Sequence, residues 1–438
     1  MMKYKSEIIA SSQLGEGYEK IVHSSGLTVF VYPKKLTAAY ALFATKYGSL
    51  ERTFGAGGAP METVPDGVAH FLEHKLFEEE DGSDVFAKFA ALGASANAYT
   101  SNEMTAYLFS ATDNVEEALE ILLSFVTHPH FTEENVAKEQ GIIGQEIGMY
   151  DDRPSTRLYY ALLEGLYQKH NVRVNIAGTV QTISQITPEL LYRCYRAFYH
   201  PGNMALAVSG DITAERVMAV VDRMIPAEVA PVEIEREYPV EGKEVASEYT
   251  TLHMEVSGPL FGYAVKDLTE HEDAKARLRH AILCSMMLNA YFSSSAPFYN
   301  QLFNDGLVGS SVDASFESMN SCAYLIITGE SDTPDAVFER IEGLFAKIKE
   351  HLPTEVDFGR IKKAMYADAV RVLDSTEDIA GEIIHSYFHG YDLWDPLETL
   401  SSVSYEEFKT FVAGYFADKI GVKATVLPVS PRAKGEEA

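Results

Sequence analysis

The stretch Thr105-Ala106-Tyr107-Leu108-Phe109 has the pattern of a strand, and a helical pattern rich in Ala and Leu follows it. A chemically similar stretch, Cys322-Ala323-Tyr324-Leu325-Ile326, lies 217 residues later and also precedes a helical pattern. The same spacing relates Ile183-x-x-Ile186-Thr187-x-Glu189 to Leu400-x-x-Val403-Ser404-x-Glu406, and a strand pattern follows each of these. Two matches at one shared spacing predict a duplicated domain.

Helical and strand patterns alternate through both halves, which predicts an α+β protein whose mixed sheets have helices packed on one face. In the first half, residues 26–33 alternate as a strand, and residues 38–47 are expected to form the neighbouring strand. Pro65-Asp66 is expected to open a helix that runs to about Phe77, with Asp66 as its N-cap. Thr132 is expected to cap a longer helix that runs to about Asp151.

The length of 438 residues favours two or more domains over a single core. Residues 225–248 contain three prolines and many glutamates with little periodicity, which is typical of a linker. We therefore expect a first domain at 1–228, a linker at 229–248 and a homologous second domain at 249–438. Only the first domain is expected to hold a metal site.

The bulk composition, with 46% hydrophobic and 23% charged residues, is that of a folded globular protein. No stretch approaches the roughly 20 apolar residues that span a bilayer, and residues 1–19 lack the apolar core of a signal peptide. A cytoplasmic location is expected. The formal net charge of −28 argues against nucleic acid and anionic membranes as partners, because their phosphates would be repelled.

The three cysteines, Cys194, Cys284 and Cys322, lie far apart, and none belongs to a Cys-x-x-Cys pair. An odd and sparse set of cysteines suits a reducing compartment. It argues against a disulfide framework and against a zinc site built on thiolates.

The pentapeptide His70-Phe71-Leu72-Glu73-His74 carries the chemistry. Positions i and i+4 share a helix face, so both imidazoles can point at one ion, and Glu73 borders that face as a candidate general base. A catalytic zinc site needs a third protein ligand. The long helix offers four glutamates, and two of them, Glu139 and Glu146, share an otherwise apolar face where a carboxylate needs a partner. The alternative for either one is a salt bridge or a place at the edge of an amphipathic face.

His70-x-x-Glu73-His74, followed 72 residues after the second histidine by Glu146, resembles the pitrilysin, insulin-degrading enzyme and mitochondrial processing peptidase family of inverzincins. The stretch from Gly93 to Ser101 is similar to that family's Gly-Gly-x-x-Asn-Ala-x-Thr segment, and Phe198 to Asp211 is similar to the end of its first domain. The resemblance implies Zn²⁺ held by His70, His74 and Glu146, with Glu73 as general base and Glu139 as support. It also implies that a peptide substrate adds as a strand beside Asn97 and Ala98.

One segment departs from that family. Members that act alone carry Arg-Gly-Leu-x-Tyr in the second domain, and Asp305-Gly306-Leu307-Val308-Gly309 stands at the matching place. With Asp305 and Gly309 there, the chain resembles the zinc-bearing subunit of a heterodimer whose homologous partner supplies the Arg and Tyr. A homodimer is the alternative assembly. A zinc-containing subunit without catalysis, active in assembly or recognition, and hydrolysis of a non-peptide amide are the alternative functions.

Overall fold

The computed structural model describes residues 4–309 and 312–429, which form two compact units. The first unit draws on Met1–Ile147, Val174–Tyr238 and Asp368–Asp395. The second draws on Gly148–Arg173, Pro239–Ala367 and Pro396–Ala438. Each unit therefore contains one segment from the other half of the sequence.

The strands in chain order are β1 (Lys5–Ser11), β2 (Glu16–Val22), β3 (Thr28–Pro33), β4 (Ala39–Thr45), β5 (Thr53–Ala56), β6 (Glu62–Thr63), β7 (Ser95–Thr100), β8 (Thr105–Ala111), β9 (Met204–Gly210), β10 (Ile234–Glu237), β11 (Tyr249–Met254), β12 (Leu260–Asp267), β13 (Asp313–Ser318), β14 (Ala323–Glu330) and β15 (Gly421–Pro428). The α-helices are α1 (Val68–Lys75), α2 (Val85–Ala91), α3 (Val115–Thr127), α4 (Glu133–Asp151), α5 (Pro154–Leu166), α6 (Val180–Ile183), α7 (Pro188–Phe198), α8 (Ala214–Met224), α9 (Ala274–Phe292), α10 (Pro297–Asn304), α11 (Pro334–Ala346), α12 (Glu355–Arg371), α13 (Thr376–His389), α14 (Asp395–Ser402) and α15 (Tyr405–Tyr415).

The second large sheet has the topology of the last five strands of the first, which carries β1 and β2 in addition. The first has the order β1-β2-β3-β9-β4-β8-β7, and the second has the order β11-β15-β12-β14-β13. In each, one pair is parallel, β3 with β9 and β11 with β15, and the pairs that follow are antiparallel. The predicted α+β class with a duplicated mixed sheet is therefore confirmed.

The expectation that residues 38–47 pair with residues 26–33 is wrong, because β9 lies between β3 and β4. All seven residues of β9 are buried. A strand that is apolar on both faces gains most from a central position, where both of its faces are covered.

The first sheet is covered on both faces, as the alternation along β8 shows. Tyr107 and Phe109 contact aromatic side chains of α3 and α2. Ala106 and Leu108 point the other way, into the core that α13 closes with Ile379, Ile383 and Ile384. The helices of the first half thus lie on one face, as expected, and a helix from the second half covers the opposite face.

The second sheet has the reciprocal arrangement, in which α5 of the first half packs on β12 and β15. Gly262 of β12 permits the close approach, because a Cβ there would lie 2.6 Å from Cδ1 of Leu162. The neighbouring Phe261 and Tyr263 instead contact Phe338 of α11.

The segment 229–248, expected as a linker, contains β10, which pairs antiparallel with β5. Its residues alternate between exposed and half-buried, which is the pattern of a strand with one covered face. The boundaries 1–228 and 249–438 follow the duplication along the chain and stay a prediction. Among the described residues, no helix combines the length and apolar character needed to cross a membrane.

Candidate metal centre

Helix α1 starts after Gly67, a position where the backbone conformation and the close packing both require glycine. Gly67 is the N-cap with φ of 93°, and a Cβ there would lie 2.5 Å from the carbonyl oxygen of Ala177. The expectation that Asp66 caps this helix is wrong, because Gly67 is the N-cap and the Asp66 carboxylate forms an ion pair with Arg52, with 2.8 Å between Oδ1 and Nε. This start fixes which face of α1 carries the histidines.

Helix α1 buries Phe71 and Leu72 completely. His70 and His74, one turn apart, face α4, where Glu146 meets both rings. The distance from Nε2 of His70 to Oε1 of Glu146 is 3.7 Å, and Nε2 of His74 lies 3.4 Å from Oε2. One potential ligand atom from each of the three residues lies within 4.8 Å of the other two.

This donor set fits a zinc ion. Two imidazoles and one carboxylate form a three-ligand set that leaves a position for water or substrate. Burial, followed by the nearby His74, lowers the pKa of His70 to about 4, so its imidazole is neutral and has a lone pair at neutral pH. Its Nδ1 is buried without a hydrogen-bond partner among the described residues. His70, His74 and Glu146 are thus able to hold the ion.

Glu139 lies behind His74. Nδ1 of His74 donates to Oε1 of Glu139 at 3.1 Å, which leaves Nε2 for a ligand on the other side of the ring. Oε2 of Glu139 lies 3.5 Å from Nζ of Lys75, a lysine with no exposed surface that also pairs with Glu78. Burial raises the pKa of Glu139, but the His74 hydrogen bond and the Lys75 charge outweigh it, so the pKa lies below its usual value.

Glu73 lies beside the three candidate ligands. It is 8% exposed, and its Oε2 accepts a 2.6 Å hydrogen bond from the hydroxyl of Thr100. Burial raises the pKa of Glu73 above its usual value, against the lowering effect of that hydrogen bond. A carboxylate with a raised pKa that is held by one donor suits the exchange of a proton.

Asn97 and Ala98 lie on β7, the last strand of the first sheet, against which α1 packs. The exposed Asn97 accepts a 2.9 Å hydrogen bond at Oδ1 from the backbone N–H of Ala98. Because β7 is paired with β8 on one side, its other edge is able to accept a further strand.

Asp305 and Gly309, which depart from the expected Arg and Tyr, belong to the second unit. Asp305 follows the last residue of α10 and forms an ion pair with Arg340 of α11, and both side chains are 47% exposed. The acidic side chain thus has a cationic partner within its own unit.

Two residues of this centre had no role in the sequence-based prediction. Thr100 lies in the segment that resembles the family, and its position on the strand face of Ala98 could have indicated a contact with α1. Lys75 directly follows His74, and a lysine buried beside two carboxylates is visible only in the tertiary structure.

A duplicated α+β fold with a His-x-x-Glu-His helix facing a distant glutamate defines the inverzincin class of proteins. Within it, the chain belongs to peptidase family M16, the insulinase family. The insulinase domain model of that family matches residues 54–180, and its model described as the peptidase M16 inactive domain matches residues 185–365. The family resemblance expected from the sequence is confirmed.

The relatives agree with this assignment. The chain is 39% identical to an uncharacterized zinc protease, YmfH, of Bacillus subtilis, over 93% of this chain and 95% of that protein. An uncharacterized zinc protease of Rickettsia felis is 28% identical over 46% of this chain and 48% of its own length.

Solved structures show the same fold. A putative M16-like peptidase from Alicyclobacillus acidocaldarius has 32% identity and a TM-score of 0.88, covering 98% of this chain and 99% of its own. A protease from Helicobacter pylori, at 18% identity and a TM-score of 0.79, covers 94% of this chain and 99% of its own, and shares the fold.

Proposed function

We propose that this chain is the zinc-bearing subunit of an endopeptidase that hydrolyses peptide bonds of unfolded peptides or precursors. The observation that carries the proposal is the convergence of His70, His74 and Glu146, with Glu73 beside them and held by the edge strand through Thr100. The names of the relatives, which are zinc proteases, support it.

His70, His74 and Glu146 would hold the zinc, and Glu139 would orient His74. When bound, zinc supplies Lewis acidity that lowers the pKa of a water towards about 7 and polarises a carbonyl. The carboxylate of Glu73 takes a proton from the attacking water and returns it to the leaving amine. Its raised pKa favours the proton-holding state between these two transfers.

The edge of β7 would bind the substrate as an added strand, beside Asn97 and Ala98. Backbone hydrogen bonds then fix the peptide with little dependence on its side chains. Because Thr100 ends this strand and also holds Glu73, the bound peptide and the base share one support.

A paired assembly is part of the proposal, because Asp305 and Gly309 stand where single-chain members carry Arg and Tyr. A homologous partner would supply those groups, and a homodimer is the alternative. A cytoplasmic location also stays a prediction, supported by three cysteines that form no disulfide and no Cys-x-x-Cys pair.

The second candidate function is a zinc-containing subunit for assembly or recognition, which the departure at Asp305 favours. Replacing Glu73 by Gln separates the two functions. As an endopeptidase, the purified chain with its partner loses about 10² to 10⁴ in turnover of an unstructured peptide library while keeping its zinc. Glu134→Gln, at an exposed position of α4, is the matched control. Equal activity of Glu73→Gln and wild type would contradict catalysis by this centre.

A further inference from the structure

A second group of potential metal ligands lies in the second unit, where the sequence predicts none. Asp267 ends β12, and His280 and Cys284 lie one turn apart on α9. One potential ligand atom from each of the three lies within 4.8 Å of the other two. Asp267 and Cys284 are buried, and His280 is largely covered.

The two carboxylate oxygens of Asp267 have different partners. Oδ1 accepts from the backbone N–H of Thr269 at 2.9 Å and from its hydroxyl at 2.6 Å, and lies 3.2 Å from Nζ of Lys419. Oδ2 lies 2.9 Å from Nε2 of His280. An ion could therefore take the place of the shared proton between Oδ2 and the imidazole, while Thr269 and Lys419 keep Oδ1 fixed as outer-sphere partners.

Tyr415 is a further buried neighbour of the cluster. The Tyr415 side chain is 6% exposed, and its hydroxyl interacts with the thiol of Cys284 and the carboxylate of Asp267. Its strongest electrostatic neighbours are Cys284 and Asp267. Tyr415, the last residue of α15, therefore brings a third element to the cluster formed by β12 and α9.

We propose that Asp267, His280 and Cys284 hold a second divalent ion, of the zinc type, in the second unit. A carboxylate, an imidazole and a thiolate suit a borderline-soft cation, and a sulfur ligand disfavours Mg²⁺ and Ca²⁺. The ion joins the end of β12 to the middle of α9, so its role is structural. The centre of the His271 ring lies 4.8 Å from that of His280, which adds a further imidazole beside the cluster.

A cavity of about 250 Å³ borders this cluster and is lined in part by Thr269 and Lys419, the two residues that contact Oδ1. Solvent therefore reaches the residues next to the carboxylate, while Cys284 has no exposed surface. An ion is able to approach from the Asp267 side.

Only the proposed second site has a sulfur ligand, so spectroscopy can distinguish the two sites. His70, His74 and Glu146 contain none, so a thiolate-to-metal charge-transfer band in the near ultraviolet of the Co²⁺-loaded chain reports the second site alone. In a His70→Ala, His74→Ala background, we expect this band and one bound Co²⁺ per chain. Adding Cys284→Ser removes both. Cys194→Ser, at an equally buried cysteine, is the matched control and leaves both unchanged.

A folded chain of the His70→Ala, His74→Ala background that binds no Co²⁺ and shows no band overturns the proposal. If Cys284→Ser does not fold, Asp267→Asn keeps the thiol and the shape of the side chain. It is expected to weaken Co²⁺ binding about tenfold or more in the same background. If the folded Asp267→Asn chain binds Co²⁺ with unchanged affinity, Asp267 is not a ligand. None of these readouts depends on peptidase activity.

Discussion

The hydroxyl of Thr100 donates a 2.6 Å hydrogen bond to Oε2 of Glu73, and this bond joins the end of β7 to the helix of the metal centre. The strand is the edge of its sheet, and the carboxylate is the candidate base. In the proposed function, placement of a peptide on the strand and orientation of the base would therefore depend on the same side chain.

Replacing Thr100 by Val removes this hydrogen bond and keeps the shape of the side chain. We expect kcat to fall about tenfold, because a freely rotating carboxylate spends less time in position to take the proton. Steady-state hydrolysis of a quenched peptide, with zinc content measured in parallel, tests this. Thr100→Ser keeps the hydroxyl and is expected to retain most of the activity. Equal losses in both variants would assign the effect to packing.

Lys75→Met removes a fully buried charge that holds Glu139. Glu139 then loses one partner and orients His74 less firmly, so we expect zinc affinity to fall about tenfold. Competition with a chromogenic chelator measures the dissociation constant. Lys88→Met is the matched control, because Lys88 is 40% exposed and pairs with Glu79 at the surface, where an ion pair contributes little. Unchanged affinity in Lys75→Met would contradict the supporting role of Glu139.

The stability of the first unit is expected to depend on pH through the buried carboxyl group of Glu51. It is 4% exposed, and burial raises its pKa to about 7, against the lowering effects of the Gly48 N–H, Arg236 and the Tyr238 hydroxyl. Between about pH 4.5 and 7 the folded state holds a proton that the unfolded state has lost. Its contribution to the free energy of unfolding therefore falls as pH rises through this window and is constant above it.

Glu51→Gln removes this titration. Relative to wild type, the variant should gain stability as pH rises from 5 to 8, by up to about 3 kcal/mol. Denaturant unfolding at several pH values measures the difference in unfolding free energy between the variant and wild type. The change of this difference with pH is the test, rather than its value at any one pH. Glu235→Gln, at an exposed position of β10, should show no such slope. A flat difference for Glu51→Gln would mean that Glu51 is ionised throughout.

Helix α13 lies in the second half of the sequence but belongs to the first unit, and α5 lies in the first half but belongs to the second unit. Each helix is therefore expected to stabilise the unit that it packs in. Ile384 of α13 and Leu162 of α5 are both fully buried, and each lies in the half of the sequence opposite to the sheet it covers. Replacing either by Ala should cost its unit about 2–5 kcal/mol. Trp394, the single tryptophan, is packed in the same core as Ile384, so its fluorescence follows the first unit. A smaller shift of the Trp394 transition for Ile384→Ala than for Leu162→Ala would contradict the assignment.

Local patterns predicted most elements but not their partners. The strand at residues 26–33 and the helix capped at Thr132 are present, with the hydroxyl of Thr132 accepting from the N–H of Asn135 at 3.2 Å. Asp66 failed as a cap because Arg52, a long-range neighbour, binds its carboxylate. The neighbour of β3 was wrong because strand order depends on which strand can be buried on both faces, which short sequence windows do not report.

The sequence by itself determined the duplication from two matches at one spacing, the α+β class from the alternation of helical and strand patterns, and the helix that carries His70, Glu73 and His74 from the spacing within one pentapeptide. The family followed from the resemblance of the motifs. The resemblance also named Glu146 as the third ligand. Only the tertiary structure decided the distances from Glu146 to both imidazoles, that Thr100 holds Glu73, and that Asp267 lies beside His280 and Cys284. These relationships join residues far apart in the chain, and packing, rather than local propensity, sets their distances.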